Sequence, residues 1–475
     1  MLNQAGHNVI SFPISKSKKP TIPSPTVASI QEPSNSAISS LGDKVHKPGP
    51  IETAMRSKLA KLKDTKYPDT FDWSVYDRIA EIFGEKQPRG GVVFKTTFKL
   101  VNFHPSCSKC FYAFEIDSYG RGCMHDCAFC YAKDQLTTHG FWNRPMPFPV
   151  DLSEVRKIMY TVFETDKPSK WRPVLEKRIP LRIGSMSDSF MRLDLKFGIT
   201  KELIRILNFY NYPHIIFTRS DLVAHDEYIK LLKPHLVSIQ ISMSGNNEHY
   251  TRLIEPRAPS VKRRLEALSK LADAGFWTTV RLNPFFPMYP DGYFTDRESL
   301  EKRFGSRKIP HFDWFNWDMI GELKEAKVPS VLAGVVRLSS RAINNMSAIT
   351  NINFRDFFRP EEFQHSGDKR YSDKEIAYYY LRLKEETEKH GIRFNVCYIG
   401  NGEKDYYQYQ KLWSNQRDCC DALGNVPAFA RTSQDVPWSE RRRHAISQCL
   451  LDRAIKQDAE LSQKYSKIPD PRELI

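Results

Sequence analysis

Short apolar runs alternate with amphipathic stretches from about residue 90 onward. The runs have the length and composition of buried strands and cover 111–117, 179–185, 214–220, 236–242, 276–285 and 331–338. Between them, 198–210 and 261–274 repeat apolar residues every three or four positions, which predicts amphipathic helices. Gly275 is placed to end the second helix in a left-handed conformation. Strands that alternate with helices predict parallel pairing, and six such units predict an α/β fold with a partial (β/α)6 barrel.

The composition changes on both sides of this alternating region. Residues 11–50 contain nine Ser and seven Pro and too little apolar surface to offset the entropy of ordering, which predicts a disordered tail over 1–50. Three further segments are expected. A helical lead-in covers 51–90, the partial barrel covers 91–345, and a mixed α/β C-terminal extension covers 346–475.

The charge balance favours a polyanionic partner. Lys and Arg number 71 against 56 Asp and Glu, so the formal net charge is +15. The aromatic-rich and Pro-rich stretch 286–330 is expected to be an inserted loop, in which Trp314, Phe315 and Trp317 could stack on a base or cover the barrel mouth as a lid. DNA and nucleotides belong to this class of partner.

The composition also bears on the compartment. Charged residues make up 27% of the chain, the mean hydropathy is -0.51, and no apolar run reaches the roughly 18 residues of a membrane-spanning helix. The first residues lack the charged-then-apolar pattern of a secretory signal. Nine cysteines, an odd number, favour metal or redox use over a disulfide scaffold. We expect a cytoplasmic protein without membrane association.

A cysteine cluster follows the first predicted strand. Cys123, Cys127 and Cys130 lie within eight residues, so their thiolates converge only if the backbone wraps around a common object. Thiolates suit soft metals and iron–sulfur clusters, and three of them on a four-iron cluster leave one iron open for chemistry. The alternative is a zinc knuckle that uses His125 or a distant cysteine as its fourth ligand.

The cysteine spacing and several motifs downstream resemble a known family. Cys-x3-Cys-x2-Cys with Phe129 before the third cysteine resembles the signature of radical S-adenosylmethionine enzymes. The motifs that resemble the spore photoproduct lyase-like branch, also called the DNA repair photolyase type, are found at 184–188, 218–220, 254–260, 264–265, 274–275 and 283–284. The resemblance covers about residues 110–290 and implies a partial barrel of the radical S-adenosylmethionine type.

The resemblance implies both the cofactors and their ligands. Cys123, Cys127 and Cys130 would hold a 4Fe–4S cluster whose open iron binds S-adenosylmethionine and yields a 5′-deoxyadenosyl radical, with a reductant such as flavodoxin or ferredoxin. The cofactor-binding positions carried over by motif are Phe129 and Tyr131 beside the adenine and the cluster, and Ser187, Asp188, Arg219 and Ser242 on S-adenosylmethionine.

Two positions depart from the family pattern. Ser185 stands where spore photoproduct lyase has a cysteine that returns a hydrogen atom to the product radical, and Arg219 replaces a lysine. A serine O–H is a much poorer hydrogen-atom donor than a thiol, so we expect modification or isomerase-like rearrangement of a base, for example a substituted thymine in DNA. The alternatives are photoproduct repair with Cys397 as the replacement donor, and a zinc-stabilised nucleic-acid-binding protein without catalysis. The catalytic residues are otherwise unassigned.

Four further cysteines could form a second metal site. Cys107 and Cys110 precede the first strand, and Cys419 and Cys420 lie in the C-terminal extension. Brought together, they could bind an auxiliary metal. The alternative is that they are buried or redox-paired thiols.

Overall fold

A computed structural model gives the structure of the protein. It describes residues 98–100, 112, 114–138, 142, 147–176, 178–286, 297–308, 310–397, 408–414, 418–431, 463 and 470–474. The predicted tail, the predicted helical lead-in, Cys107 and Cys110 lie outside the described residues.

One mostly parallel sheet organises the described residues. Its strand order is β1-β2-β5-β6-β7-β8-β9-β10, and β3 and β4 form a separate antiparallel pair. The bounds are β1 Lys99–Leu100, β2 Phe114–Ile116, β3 Tyr119–Gly120, β4 Phe148–Pro149, β5 Leu181–Ile183, β6 His214–Thr218, β7 Val237–Ser242, β8 Trp277–Phe285, β9 Ser330–Val335 and β10 Arg393–Val396. Strand β1 pairs antiparallel with β2, and every pairing from β2 to β10 is parallel. The predicted α/β class and the six predicted strands are confirmed.

Helices connect successive strands, as parallel pairing requires. Their bounds are α1 Tyr131–Thr138, α2 Leu152–Phe163, α3 Arg172–Leu175, α4 Leu193–Phe197, α5 Ile199–Phe209, α6 Asp226–Ile229, α7 Glu248–Ile254, α8 Val261–Asp273, α9 Arg297–Phe304, α10 Asp318–Glu325, α11 Ser340–Thr350 and α12 Asp373–Lys389. Short 3₁₀ helices cover Leu222–Ala224, Phe354–Phe357, Pro360–Gln364, Gln410–Leu412, Pro427–Arg431 and Pro471–Leu474. Helices α5 and α8 confirm the two periodic stretches, and Gly275 has φ +81°, as its position after α8 predicts. Within the described ranges, each helix is too short or too polar to cross a membrane.

The sheet has one apolar face and one polar face. Paired residues of neighbouring strands share a face, so Ile183, Ile216 and Ile239 form an apolar row that is fully buried. The other face, which we call the polar face, carries Glu115, Arg182, Phe217, Ser238, Gln240, Thr279, Arg281 and Asn395. Most of these side chains are buried as well. A buried row of charged and polar side chains needs internal partners or a ligand.

Two regions differ from the sequence-based expectation. The stretch 286–330 was expected to be an inserted loop, but it contains α9 and α10. Trp314 is fully buried and Phe315 is 3% exposed, which favours a packing role for both rings over the alternative that they stack on a base. Strand β10 comes from the expected C-terminal extension and extends the sheet as a seventh parallel strand.

Candidate functional site

The three clustered cysteines lie on a loop that follows β3 and leads into α1. Cys127 is buried, whereas Cys123 and Cys130 are half-buried, and all three thiols are free. A turn closes the loop, since the Cys130 N–H donates to the carbonyl oxygen of Cys127 at 3.3 Å. Asp126, directly before this turn, takes the left-handed conformation with φ 52°. We call residues 123–130 the cysteine loop.

The surroundings of the cysteine loop raise the pKa of its three thiols. Burial raises the pKa of Cys123 to about 12 and that of Cys130 to about 11. Burial also raises the pKa of Cys127, although Arg219 lowers it. The thiols raise one another's pKa as well, which means that they are close enough to repel when ionised. A bound iron–sulfur cluster would supply the missing cation, so these thiols fit that group by donor type and by proximity.

The loop geometry differs from that of a zinc site. A single zinc ion needs thiolates about 4 Å apart, because each Zn–S bond is about 2.3 Å long, whereas a cluster binds each thiolate on a different iron. Among the described residues, no three His, Cys, Asp or Glu side chains are grouped to hold a single ion. His125, which like a distant cysteine was a possible fourth ligand in the zinc alternative, directs Nε2 at Asp188 Oδ2 (3.1 Å) and Nδ1 at the Arg257 carbonyl oxygen (3.2 Å). Both ring nitrogens of His125 therefore already have protein partners.

Asp188 ties the cysteine loop to the sheet. Its carboxylate accepts from the Phe190 N–H at 2.8 Å, from Thr218 Oγ1 at 2.8 Å, from the Arg219 N–H at 2.6 Å and from His125. Burial opposes its ionisation, but His125 and the two backbone donors lower the pKa of Asp188. Its oxygens are so fully engaged that the arrangement favours positioning of the loop over contact with a cofactor.

A buried group of three charged residues lies beside the loop. Glu255 is bound by Arg219 through one carboxylate oxygen and by Arg264 through the other. Arg264 also donates to the carbonyl oxygens of Pro259 (2.9 Å) and Ser242 (3.2 Å). Although burial lowers the pKa of Arg219, Glu255 and then Cys127 raise it. The charge of Arg219 is therefore held next to the cysteine thiols.

The other expected cofactor-binding residues surround the loop. Ser187 is buried and donates to the Gly122 carbonyl oxygen at 2.6 Å, and Tyr131 is 62% exposed and donates to the Ser185 carbonyl oxygen at 2.8 Å. The Phe129 ring is bounded by Arg219 (5.2 Å), Phe286 (5.8 Å) and Trp314 (5.8 Å). Ser242 is half-buried at the end of β7 and pairs in register with Arg281.

The loop after β5 is fixed beneath these residues. Ser185 donates its N–H to Asp117 Oδ1 at 2.7 Å and its hydroxyl to Glu115 Oε2 at 2.5 Å. Gly184 precedes it with φ +88°, where a side chain would also collide with the Phe217 backbone oxygen. Ser185, which stands where the resembled branch has a cysteine, is thus tied to a buried carboxylate.

Three other cysteines gather at the polar face instead of at a metal site. Arg281 donates to Cys397 Sγ at 3.6 Å, and its charge also acts on Cys419 and Cys420. Cys419 donates to Cys420 and, with Arg281, lowers the pKa of Cys420 although burial raises it. Cys107 and Cys110 lie outside the described residues, and among the described ones no three His, Cys, Asp or Glu side chains are grouped to hold an ion, so the structure gives no support to the expected auxiliary site.

Sequence reasoning assigned no role to several residues of this region. Glu255 and Arg264 lie within the motifs given above. In 253–256, Glu255 is the only charged residue among apolar ones, and this pattern indicates a buried, paired carboxylate. Arg281 interrupts the apolar run 276–285 in the same way. A charged residue inside a run that reads as a buried strand is the pattern that finds such positions.

Comparisons with known proteins give distant relatives. No family model matches the chain. It is 27% identical over 175 residues to an uncharacterised protein of Acidianus two-tailed virus (36% of this chain, 55% of the relative). It is 25% identical over 170 residues to an uncharacterised protein of Methanocaldococcus jannaschii (35% and 58%). The chain thus spans little more than half the length of these curated relatives.

The similar solved structures are also distant. Spore photoproduct lyase complexed with dinucleoside spore photoproduct matches with a TM-score of 0.42 and 14% identity, over 74% of this chain and 95% of that one. SuiB of Streptococcus suis, bound to S-adenosylmethionine, matches with a TM-score of 0.34 and 9% identity, over 60% and 51%. The first is the enzyme that gives its name to the branch that the motifs resemble.

Proposed function

We propose that the protein is a radical S-adenosylmethionine enzyme that acts on a nucleic-acid base. The cysteine loop carries this proposal, since it presents three free thiols within eight residues, close enough to raise one another's pKa, with the Arg219 charge beside them. Cys123, Cys127 and Cys130 would hold a 4Fe–4S cluster. With S-adenosylmethionine bound, the cluster would supply one-electron chemistry that removes a hydrogen atom from the substrate.

The residues around the loop would orient the cofactors. Asp188 and His125 fix the loop against the sheet, and the Arg219 charge lies next to the thiols. Ser187, Arg219 and Ser242 would bind the polar parts of S-adenosylmethionine, and Phe129 with Tyr131 would border its adenine. Rigid anchoring of this kind keeps reacting atoms in place.

The reaction that we infer is a modification or an isomerase-like rearrangement of a base such as a substituted thymine. The Ser185 hydroxyl donates to the Glu115 carboxylate, and its O–H bond is a poor source of a hydrogen atom. A rearrangement needs no such donor, because the hydrogen removed from the substrate can be returned to the product. S-adenosylmethionine would then be regenerated. Consumption of one S-adenosylmethionine for each product molecule would contradict the rearrangement with regeneration.

Mass spectrometry of nucleosides tests the substrate class. DNA co-expressed with the wild-type protein is expected to contain a nucleoside that is absent when the chain carries Cys127→Ala, because that variant lacks a cluster ligand. The matched control is Glu227→Gln, an exposed position of the same fold. Identical nucleoside profiles for wild type and Cys127→Ala would remove the main support for DNA modification.

Repair of a thymine photoproduct is the second candidate function. It is favoured by Cys397, whose thiol is buried at the polar face and 3.6 Å from Arg281. Cys397 would donate the hydrogen atom that Ser185 cannot. Restoration of thymine in UV-damaged spore-type DNA by wild type but not by Cys397→Ala, at equal iron content, would favour repair over rearrangement.

A further inference from the structure

Arg281 is a buried cation that has no carboxylate partner among the described residues. Its side chain projects from β8 onto the polar face and is 8% exposed. The guanidinium donates to Gln240 Oε1 at 2.8 Å and to Cys397 Sγ at 3.6 Å, and it stacks on the Phe217 ring at 4.5 Å. Of its five N–H groups, three have no partner among the described residues.

The other arginines buried beside the strands are paired. Arg182 binds Glu115 on the same face, and Arg219 and Arg264 share Glu255. An uncompensated buried charge is costly, and a fold retains one where a ligand or a neighbouring group completes it. Arg281 is therefore placed to receive an anion.

The polar face around Arg281 offers further hydrogen-bonding groups. The side-chain oxygens of Ser238, Thr279 and Asn395 are fully buried, and within the described ranges Ser238 Oγ, Thr279 Oγ1 and Asn395 Oδ1 have no hydrogen-bond partner. Ser238 and Thr279 lie on the same face as Arg281, because Gln240 pairs with Thr279 and Ser242 pairs with Arg281. Asn395 lies on that face as well, because Arg281 and Asn395 both pair with Leu332. Buried oxygens of this kind form hydrogen bonds with water or with a ligand.

The site has an open side. At the carboxyl ends of the strands, Phe217, Ser242 and Asn283 are half-buried. The residues two positions before them on the same face, Ile215, Gln240 and Arg281, are buried. Ligands of parallel sheets bind at the carboxyl ends of the strands. A ligand that enters from this end would reach Arg281 past Ser242.

We propose that Arg281 binds the phosphodiester group of a nucleic-acid substrate at the polar face. This assignment rests on the proposed function. A guanidinium offers a planar fork that matches two phosphate oxygens, and stacking on Phe217 leaves its edge for the ligand. Two other anions compete for the position: a thiolate at Cys420, and the carboxylate of S-adenosylmethionine.

The test compares thymidylyl-thymidine with its methylphosphonate analogue, which has the same shape and no charge. Equilibrium binding to the full-length wild-type chain is expected to favour the phosphodiester. In Arg281→Gln, the ratio of the affinity for the phosphodiester to that for the methylphosphonate is expected to fall by about ten- to a hundredfold, because hydrogen bonds to a charged group are lost. Arg281→Lys should keep the charge and part of the preference. The control, Arg263→Gln, removes a half-exposed arginine that pairs with Asp221 and should bind as wild type does.

The outcomes separate this assignment from the proposed function. Equal affinity of wild type for both ligands, or an unchanged preference in Arg281→Gln, would overturn the role of Arg281 and leave the nucleic-acid substrate standing. Binding of neither ligand would overturn both. Competitive displacement of thymidylyl-thymidine by S-adenosylmethionine would assign Arg281 to the cofactor carboxylate and overturn the phosphate site. The urea midpoint of ligand-free Arg281→Gln should not fall, because the change removes an unpaired buried charge.

Discussion

Glu255→Gln is expected to destabilise the protein by about 3–5 kcal/mol, because it removes the only charge that both Arg219 and Arg264 contact in the described part of the chain. The carboxylate is fully buried, and Arg264 is 1% exposed, so water cannot take the place of the lost charge. The glutamine amide can accept from one guanidinium only and turns an N–H toward the other. Urea unfolding followed by circular dichroism measures the loss.

An exposed ion pair provides the matched control. Glu227 pairs with Lys201 at 2.6 Å, and its side chain is 43% exposed. Glu227→Gln should change stability by less than about 1 kcal/mol, because solvent screens this pair. Similar losses for Glu255→Gln and Glu227→Gln would show that the buried group beside the cysteine loop contributes no more than a surface pair.

Asp188→Asn is expected to detach the cysteine loop from the sheet. The carboxylate accepts from His125, Thr218 and two backbone N–H groups, whereas an asparagine turns one N–H toward some of these donors. The loss of a buried charge-assisted network should cost about 3 kcal/mol. Because the network holds the thiols in place, iron retention after anaerobic reconstitution should fall as well.

The control for this substitution is Asp273→Asn, which breaks an exposed pair with Lys327. It should leave both the unfolding midpoint and the iron content as in wild type. Normal iron content in Asp188→Asn, together with lower stability, would mean that Asp188 supports the sheet without positioning the loop.

Most of the sheet was predictable because buried strands need continuous apolar runs. Each of the six predicted runs contains a strand, and the periodic stretches gave α5 and α8. That the three cysteines share one loop was predictable for a similar reason, since they lie within eight residues of each other. Local patterns of this kind survive folding unchanged.

Contacts across long separations were not predictable. Arg281 and Cys397 are 116 residues apart, and their meeting depends on β10 pairing with β9. For Trp314 the sequence left open stacking on a base or a lid over the barrel mouth. Its side chain is fully buried, and its Nε1–H donates to Thr251 Oγ1 at 2.9 Å. An aromatic side chain serves a core and a base equally well, so composition alone does not separate the two roles.

Electron paramagnetic resonance of the reduced, anaerobically reconstituted protein tests the central claim most directly. The account predicts about four iron atoms per chain and a cluster signal that changes when S-adenosylmethionine is added, because one iron is left open by three cysteines. Cys127→Ala should lose the signal, and Cys397→Ala, a buried cysteine outside the loop, should keep it. A colourless protein that binds zinc, or a cluster signal that S-adenosylmethionine leaves unchanged, would contradict the account.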